Sequence, residues 1–411
     1  MAKILPFKAI RPASELASQI AALPYDVYSS AEAREYVKDH PKTFLGIDRA
    51  ETLLEEGTSP YEDRVYQKAR EVLWDMVDKG EFIRDDRECY YAYELTMDGR
   101  SQTGIVAVAS VDDYDNNVIK KHENTRADKE ADRIRHVDVC GAQTGPIFLA
   151  FRHNKAIRDV IETRLDKDPV YDFTSEDGIR HRVWTIDRPR NIQVIKEAFG
   201  SMEEIYIADG HHRCASAVRV SKMRREANPG FTGDEDFNYF LCVAFPDDEL
   251  KILDYNRVVK DLAGMDEKEF MDRVSDKFYI EKSHKPVRPS KKGEFGMYLK
   301  KGGWYTLTAH DDIKSSDPVK GLDVSILQDN LLGPILNIQD PKTDSRIDFV
   351  GGIRGLSELE RRVKLDCVVA FSMYPTDIRE LFSVADAGLL MPPKSTWFEP
   401  KLRSGLFIHQ I

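Results

Sequence analysis

Residues 205–220 read Ile205-Tyr206-Ile207-Ala208-Asp209-Gly210-His211-His212-Arg213-Cys214-Ala215-Ser216-Ala217-Val218-Arg219-Val220, and they fall into three parts. The first four are strand-like, Asp-Gly is a turn pair, and the residues from Cys214 onward are helix formers. The chain is therefore expected to leave a strand, turn at Asp209-Gly210 and enter a helix with His211, His212 and Arg213 in its first turn. That turn carries the positive end of the helix dipole and several backbone N–H groups without intrahelical partners. Cationic side chains there are unfavourable by roughly 0.3–1 kcal/mol each. An anion at the same spot reverses the balance, because donors and dipole then converge on it, and phosphate is the obvious candidate. The same residues admit a second reading, in which Asp209 caps the helix, Gly210 makes the turn and the histidines bond nearby carbonyls. No P-loop and no GxGxxG accompanies the segment, so neither standard nucleotide-binding fold is implied.

Downstream, Tyr239–Phe245 (Tyr-Phe-Leu-Cys-Val-Ala-Phe) is an unbroken apolar run that reads as a buried strand ending at Pro246-Asp247-Asp248-Glu249. Upstream, Tyr90–Met97 and Gly104–Val111 flank Asp98-Gly99 as a hairpin, and Ile147–Phe151 is another short apolar strand. Tyr61–Lys79 has Val65, Ala69, Val72, Leu73 and Met76 on one helical stripe, with Gly80 as its stop. Beyond residue 247, Asp266 is expected to cap a helix reaching about Phe278, and Asp323 another through Leu332, broken at Pro334. Between them Lys282–Gly293 is a basic, proline-containing loop. Asp366–Met373 then reads as a strand, and Thr376 as the cap of the helix after it. Strands and helices mix without a βαβ rhythm, so the expected class is α+β. Two domains are expected, 1–246 and 247–411, the first built on a mixed sheet.

Two further clusters carry charge. His122-Glu123-Asn124-Thr125-Arg126 follows the hairpin, with Arg133, Arg135 and His136 close behind. It is not HExxH, because Arg126 stands where the second histidine belongs. Read functionally, Glu123 is a base or a magnesium ligand and Arg126 or Arg133 a phosphate clamp. Read otherwise, the segment is a solvated helix of alternating charge. Met391-Pro392-Pro393-Lys394-Ser395-Thr396-Trp397-Phe398-Glu399-Pro400-Lys401 is stiffened by three prolines, which would hold Lys394 and Lys401 in place over a site in the first domain. The alternative is a closing segment that packs Trp397 and Phe398. His122, His136, His211 and His212 show no recognised metal-ligand spacing, and adjacent histidines seldom both bind one ion, so no metal ligand is assigned.

The bulk numbers set the frame. With 411 residues, 41% of them hydrophobic, the chain can bury two cores. A net charge of −11 spread along the chain argues against nucleic acid or an anionic membrane as partner. Five scattered cysteines without a CxxC exclude a disulfide framework or a cysteine-rich zinc site. No apolar run reaches the roughly 20 residues of a membrane span, and the N-terminus lacks a signal-peptide core, so a cytoplasmic location is expected.

Taken together, Pro6-Phe7-Lys8-Ala9 with Arg11-Pro12, Pro24-Tyr25-Asp26-Val27, His122-Glu123-Asn124-Thr125, Asp209 to Arg213 and Met391 to Lys401 resemble a bacterial and archaeal family known as domain-of-unknown-function family 1015. The strand, the turn and the helix start at Asp209 also look like the phosphate-binding corner of the ParB/sulfiredoxin-like fold. That superfamily includes free-serine kinases with a similar Asp-Gly-His-x-Arg motif, matched here by Asp209, Gly210, His211 and Arg213 with His212 at the variable place. The resemblance implies phosphoryl transfer between a nucleotide, ATP or ADP with Mg²⁺, and a small hydroxylated metabolite, serine first among them. In that reading Gly210, His212, Arg213, Arg126, Lys394 and Lys401 bind phosphate or nucleotide. Glu123, Asp209 and His211 serve the chemistry. Two other functions fit the same pocket: a nucleotide-responsive binding or regulatory protein of the partition type, and a phosphatase acting on the same phosphorylated metabolite.

Overall fold

The computed structural model describes residues 1–125 and 127–411, the side chains of 128 and 129 excepted. They form two units, Met1–Leu250 with Pro400–Ile411, and Lys251–Glu399. The class is α+β, with a large mixed sheet in the first unit and an antiparallel one in the second. A single cut near residue 247 therefore does not describe the chain, because residues 400–411 rejoin the first unit. Ser404 bridges to Ala22, Ile408 to Ile10, and His409–Gln410 pairs with Ala142–Gln143. Such long-range pairings leave no local pattern in the sequence.

The first unit is built on a nine-stranded sheet. Its strands run in the order Ile119–Lys120, Ile205–Asp209, Ile147–Phe151, Tyr239–Pro246, Arg100–Ser110, Tyr90–Met97, Arg180–Ile186 and Tyr171–Thr174, with Ile4–Leu5 paired to Arg100–Ser110. Among the described residues only two of its pairings are parallel, Ile205–Asp209 with Ile119–Lys120 and Tyr239–Pro246 with Ile147–Phe151. Every residue of Tyr239–Pro246 is buried, as an apolar run covered on both faces must be. The hairpin closes through Asp98 (φ 52) and Gly99 (φ 77), both in the left-handed region that a two-residue turn requires. Its second strand begins at Arg100, four residues before the expected start.

The second unit has a six-stranded antiparallel sheet with helices Glu267–Ser275 and Gly355–Leu365. Asp266 caps the first of these through Glu269 N–H (2.8 Å), as expected, but the helix stops at Ser275 because Phe278 opens a strand. Asp323 does not cap. It lies inside the helix Asp323–Leu327, and its carboxylate accepts the N–H of Gly293 at 3.0 and 3.1 Å. Thr376 is one residue short of its expected role: Asp377 is the cap, in a capping box with Glu380, while the Thr376 hydroxyl donates to Ser395 O. Among the described residues no helix is long and apolar enough to cross a membrane, and all five cysteines are free and buried.

Candidate functional site

The parallel pairing of Ile119–Lys120 with Ile205–Tyr206 sends both strands out of the same sheet edge. The residues just beyond them, His122-Glu123 on one side and Asp209-Gly210-His211 on the other, are thereby brought together. Ile205–Asp209 is a strand, Gly210 turns with φ 91, and a helix runs His211–Ala227. Gly210 is the N-cap and offers no side-chain oxygen, so the capping role considered for Asp209 is not the one it fills. The Asp209 carboxylate instead accepts the Gly210 N–H (2.8 Å) and the Lys401 ammonium (2.9 Å). Burial would raise this carboxyl, but Lys401 and Arg213 hold it well below the usual carboxylate range. It is therefore held in its ionised form, and its affinity for a proton is weakened.

Glycine is needed at position 210 for more than its backbone angle. A Cβ there would come within 3.1 Å of the Arg213 guanidinium, which lies over the turn. Arg213 donates to Pro146 O (2.6 Å) at the start of the neighbouring strand. With Arg133 it lines a cavity of ≈ 30 Å³, closed by Tyr25, Thr144, Gly145 and Ser404. That volume holds a water or two but no phosphate. The cavity shares Tyr25, Asp48, Arg133 and His136 with a wider one of ≈ 270 Å³, which does have room.

Arg133 is buried, 4.0 Å over the Tyr25 ring, and pairs with Asp132 (2.9 Å). Burial alone would lower its proton affinity, but Asp132, Tyr25 and Asp48 together raise it. Burial also pushes the Tyr25 phenol up to about 12, keeping it a donor. The segment at 121–125 is irregular, and the helix Ala127–Cys140 turns Arg133 and His136 inward. It is thus not the solvated charged helix that its composition allows.

The histidines depart most from expectation. His122 and His211 are buried, their rings 4.5 Å apart and nearly perpendicular. Burial brings His122 down to about 4 and His211 well below its ordinary value, so both are neutral at pH 7. Burial thus works against a positive charge on His211. His122 Nδ1 and His211 Nε2 are buried without a hydrogen-bond partner among the described residues. Each such orphan destabilises by roughly 1–3 kcal/mol. One ring nitrogen each of His122 and His211 and a carboxylate oxygen of Glu123 lie within 4.8 Å of one another, a donor set able to hold a metal ion. Linear spacing misses it because the ligands meet through strand pairing.

His212 is half-buried, and its carbonyl accepts from the Ser216 hydroxyl (2.7 Å). Lys394 belongs to the second unit, where its carbonyl accepts from Arg257 (3.0 Å) and its ammonium lies 5.7 Å over the Tyr255 ring. Arg126 lies outside the described residues. Sequence reasoning missed Asp48, Thr144 and Ser404. Asp48 carried a signal, an acid ending the apolar run Phe44-Leu45-Gly46-Ile47, and in the fold it is buried and accepts from Thr144 (3.0 Å).

A sequence profile described as "Protein of unknown function (DUF1015)" matches residues 4–325. No curated protein matches the chain. Among solved structures the chain is similar to a mutant free serine kinase in complex with ADP, at 13% identity and TM-score 0.35, covering 74% of this chain and 92% of that one. It is similar to a conserved hypothetical protein from Pyrococcus furiosus at 15% and 0.34, covering 74% and 94%. A C-terminally truncated SbnI from Staphylococcus aureus stands at 9% and 0.38, covering 74% and 86%.

Proposed function

This chain belongs to the DUF1015 family of proteins of unknown function, and from that premise we propose that its first unit is a nucleotide-dependent phosphotransferase acting on a small hydroxylated metabolite, with serine the first to test. The observation that carries the reading is Arg133, which lines both the narrow cavity it shares with Arg213 and the wider one of ≈ 270 Å³ that has room for a phosphate, beside a helix whose N-cap has no side chain. Guanidinium groups and the positive end of a helix suit phosphate oxygens. The Asp-Gly-His-x-Arg likeness to the ParB/sulfiredoxin-like corner points the same way.

The nucleotide, ATP or ADP with Mg²⁺, supplies the phosphoryl group, and Mg²⁺ comes with it because it takes oxygen ligands and keeps part of its water. Arg213 and Arg133 hold phosphate charge. Lys401, fixed by Asp209, offsets charge as it develops on the transferring group. The substrate hydroxyl oxygen forms the new bond to phosphorus as the bond to the leaving phosphate breaks, and its proton goes to a carboxylate. Asp209 is too acidic for that task, which leaves Glu123. The test is incubation of the purified chain with ATP or ADP, Mg²⁺ and serine, with phosphoserine as the expected product. No turnover across a panel of hydroxylated metabolites would overturn the reading, and nucleotide binding without turnover would favour a regulatory role.

A further inference from the structure

We infer that His122, Glu123 and His211 form a binding site for one divalent first-row metal ion of the zinc, cobalt and iron(II) class, with at least one coordination position left open. Four observations support it. The two imidazole nitrogens that lack any hydrogen-bond partner among the described residues, His122 Nδ1 and His211 Nε2, belong to side chains only 2% and 7% exposed. One ligand atom each from His122, Glu123 and His211 can be chosen so that all three lie within 4.8 Å of one another. The two rings stand 4.5 Å apart, edge to face, just beyond the ends of the paired strands Ile119–Lys120 and Ile205–Tyr206. A backbone hydrogen bond at Ile207 fixes His122 from outside the set, as the partners of metal-bound histidines commonly do.

Metal–ligand bonds of about 2.0–2.1 Å place ligand atoms no more than about 4.2 Å apart. Binding would therefore draw the three side chains inward by a fraction of an ångström. Imidazole ligands select zinc, iron, nickel or copper over magnesium, and two histidines with one carboxylate leave room for a further ligand. The ion is thus a different one from the Mg²⁺ that accompanies a nucleotide. The site does not depend on the phosphotransferase reading.

The experiment needs no nucleotide, so its outcome is separable from that of the phosphotransferase assay. The full chain is stripped with a chelator and titrated with Co²⁺ in excess Mg²⁺. The expected result is one Co²⁺ per chain, with the visible absorption of a nitrogen-ligated ion, displaced by Zn²⁺ and unaffected by Mg²⁺. His122→Gln and His211→Gln should each weaken uptake at least tenfold while the far-ultraviolet circular dichroism stays unchanged. Should either variant fail to fold, Glu123→Gln, at a half-buried position, replaces it with the same expected loss. Absence of stoichiometric uptake by the wild-type chain, or uptake undiminished in the folded variants, would overturn the assignment.

Discussion

The first unit buries five imidazoles, at His122, His136, His181, His211 and His409, and burial lowers the proton affinity of every one. The second unit buries a carboxyl, Asp323, which burial pushes up to about 7. Neither group welcomes charge in a low-dielectric setting, but acid charges the first kind and neutralises the second. The two halves of one chain should therefore answer a fall in pH in opposite directions.

The largest expected effect tests this contrast directly. For a histidine with its folded pKa lowered, the unfolded chain binds more protons below about 6.5, so stability is fully present above that pH and is lost on acidification. Taking His122 at about 4 and His181 near 3, each should remove roughly 2 kcal/mol between pH 7 and 5. The other three act in the same direction, and the raised Asp113 and Glu249 of the same unit oppose part of the loss. Hydrogen exchange followed by mass spectrometry should show peptides of residues 1–250 losing protection over that range. Unchanged protection would break the comparison.

The next prediction concerns where the chemistry resides. Arg213→Ala should lower phosphotransfer about 100-fold or more, near 2.7 kcal/mol. Lys394→Ala, in the other unit, should lower it less than about tenfold. Equal losses would mean that the second unit supplies part of the reaction centre.

Of similar size is the effect at Asp323. A carboxyl with a raised folded pKa is bound to its proton in the native state between about 4 and 7, so stability falls as pH rises through that window. The second unit should gain about 2.5 kcal/mol on going from pH 8 to 5, and Asp323→Asn should flatten the dependence in a calorimetric pH series. The smallest expected effect contrasts two helix starts. Asp377→Ala removes a capping box and should reduce stability by about 1 kcal/mol in a denaturant titration. The helix at His211 has no side-chain cap to lose.

What could be read beforehand followed locality. The hairpin at Asp98-Gly99, the strand, turn and helix around Gly210, and the cap at Asp266 are all set by neighbours within a few residues, and all appear in the structure. Asp323 misled because its carboxylate serves Gly293, thirty positions away, and nothing in the adjoining sequence says so. The cavity was legible only in pieces. Arg213 and Arg133 were marked by charge beside a helix start, whereas Tyr25, Thr144 and Ser404 arrive from other segments through sheet pairing. The unpartnered nitrogens of His122 and His211 were hidden for the same reason: no helical or strand period relates them.

Residues 400–411 return to the first unit after the whole of the second has intervened. A ribosome making this chain thus emits residues 1–250 long before it emits Lys401, the partner of Asp209, or Ser404, a wall of the arginine-lined cavity. The sheet can assemble early, but the corner at Asp209 must await translation of residues 251–399 and of Lys401 after them. Late closure of so long a loop is slow. A nascent or truncated polypeptide lacking residues 400–411 would miss the Lys401–Asp209 ion pair and one wall of the arginine-lined cavity.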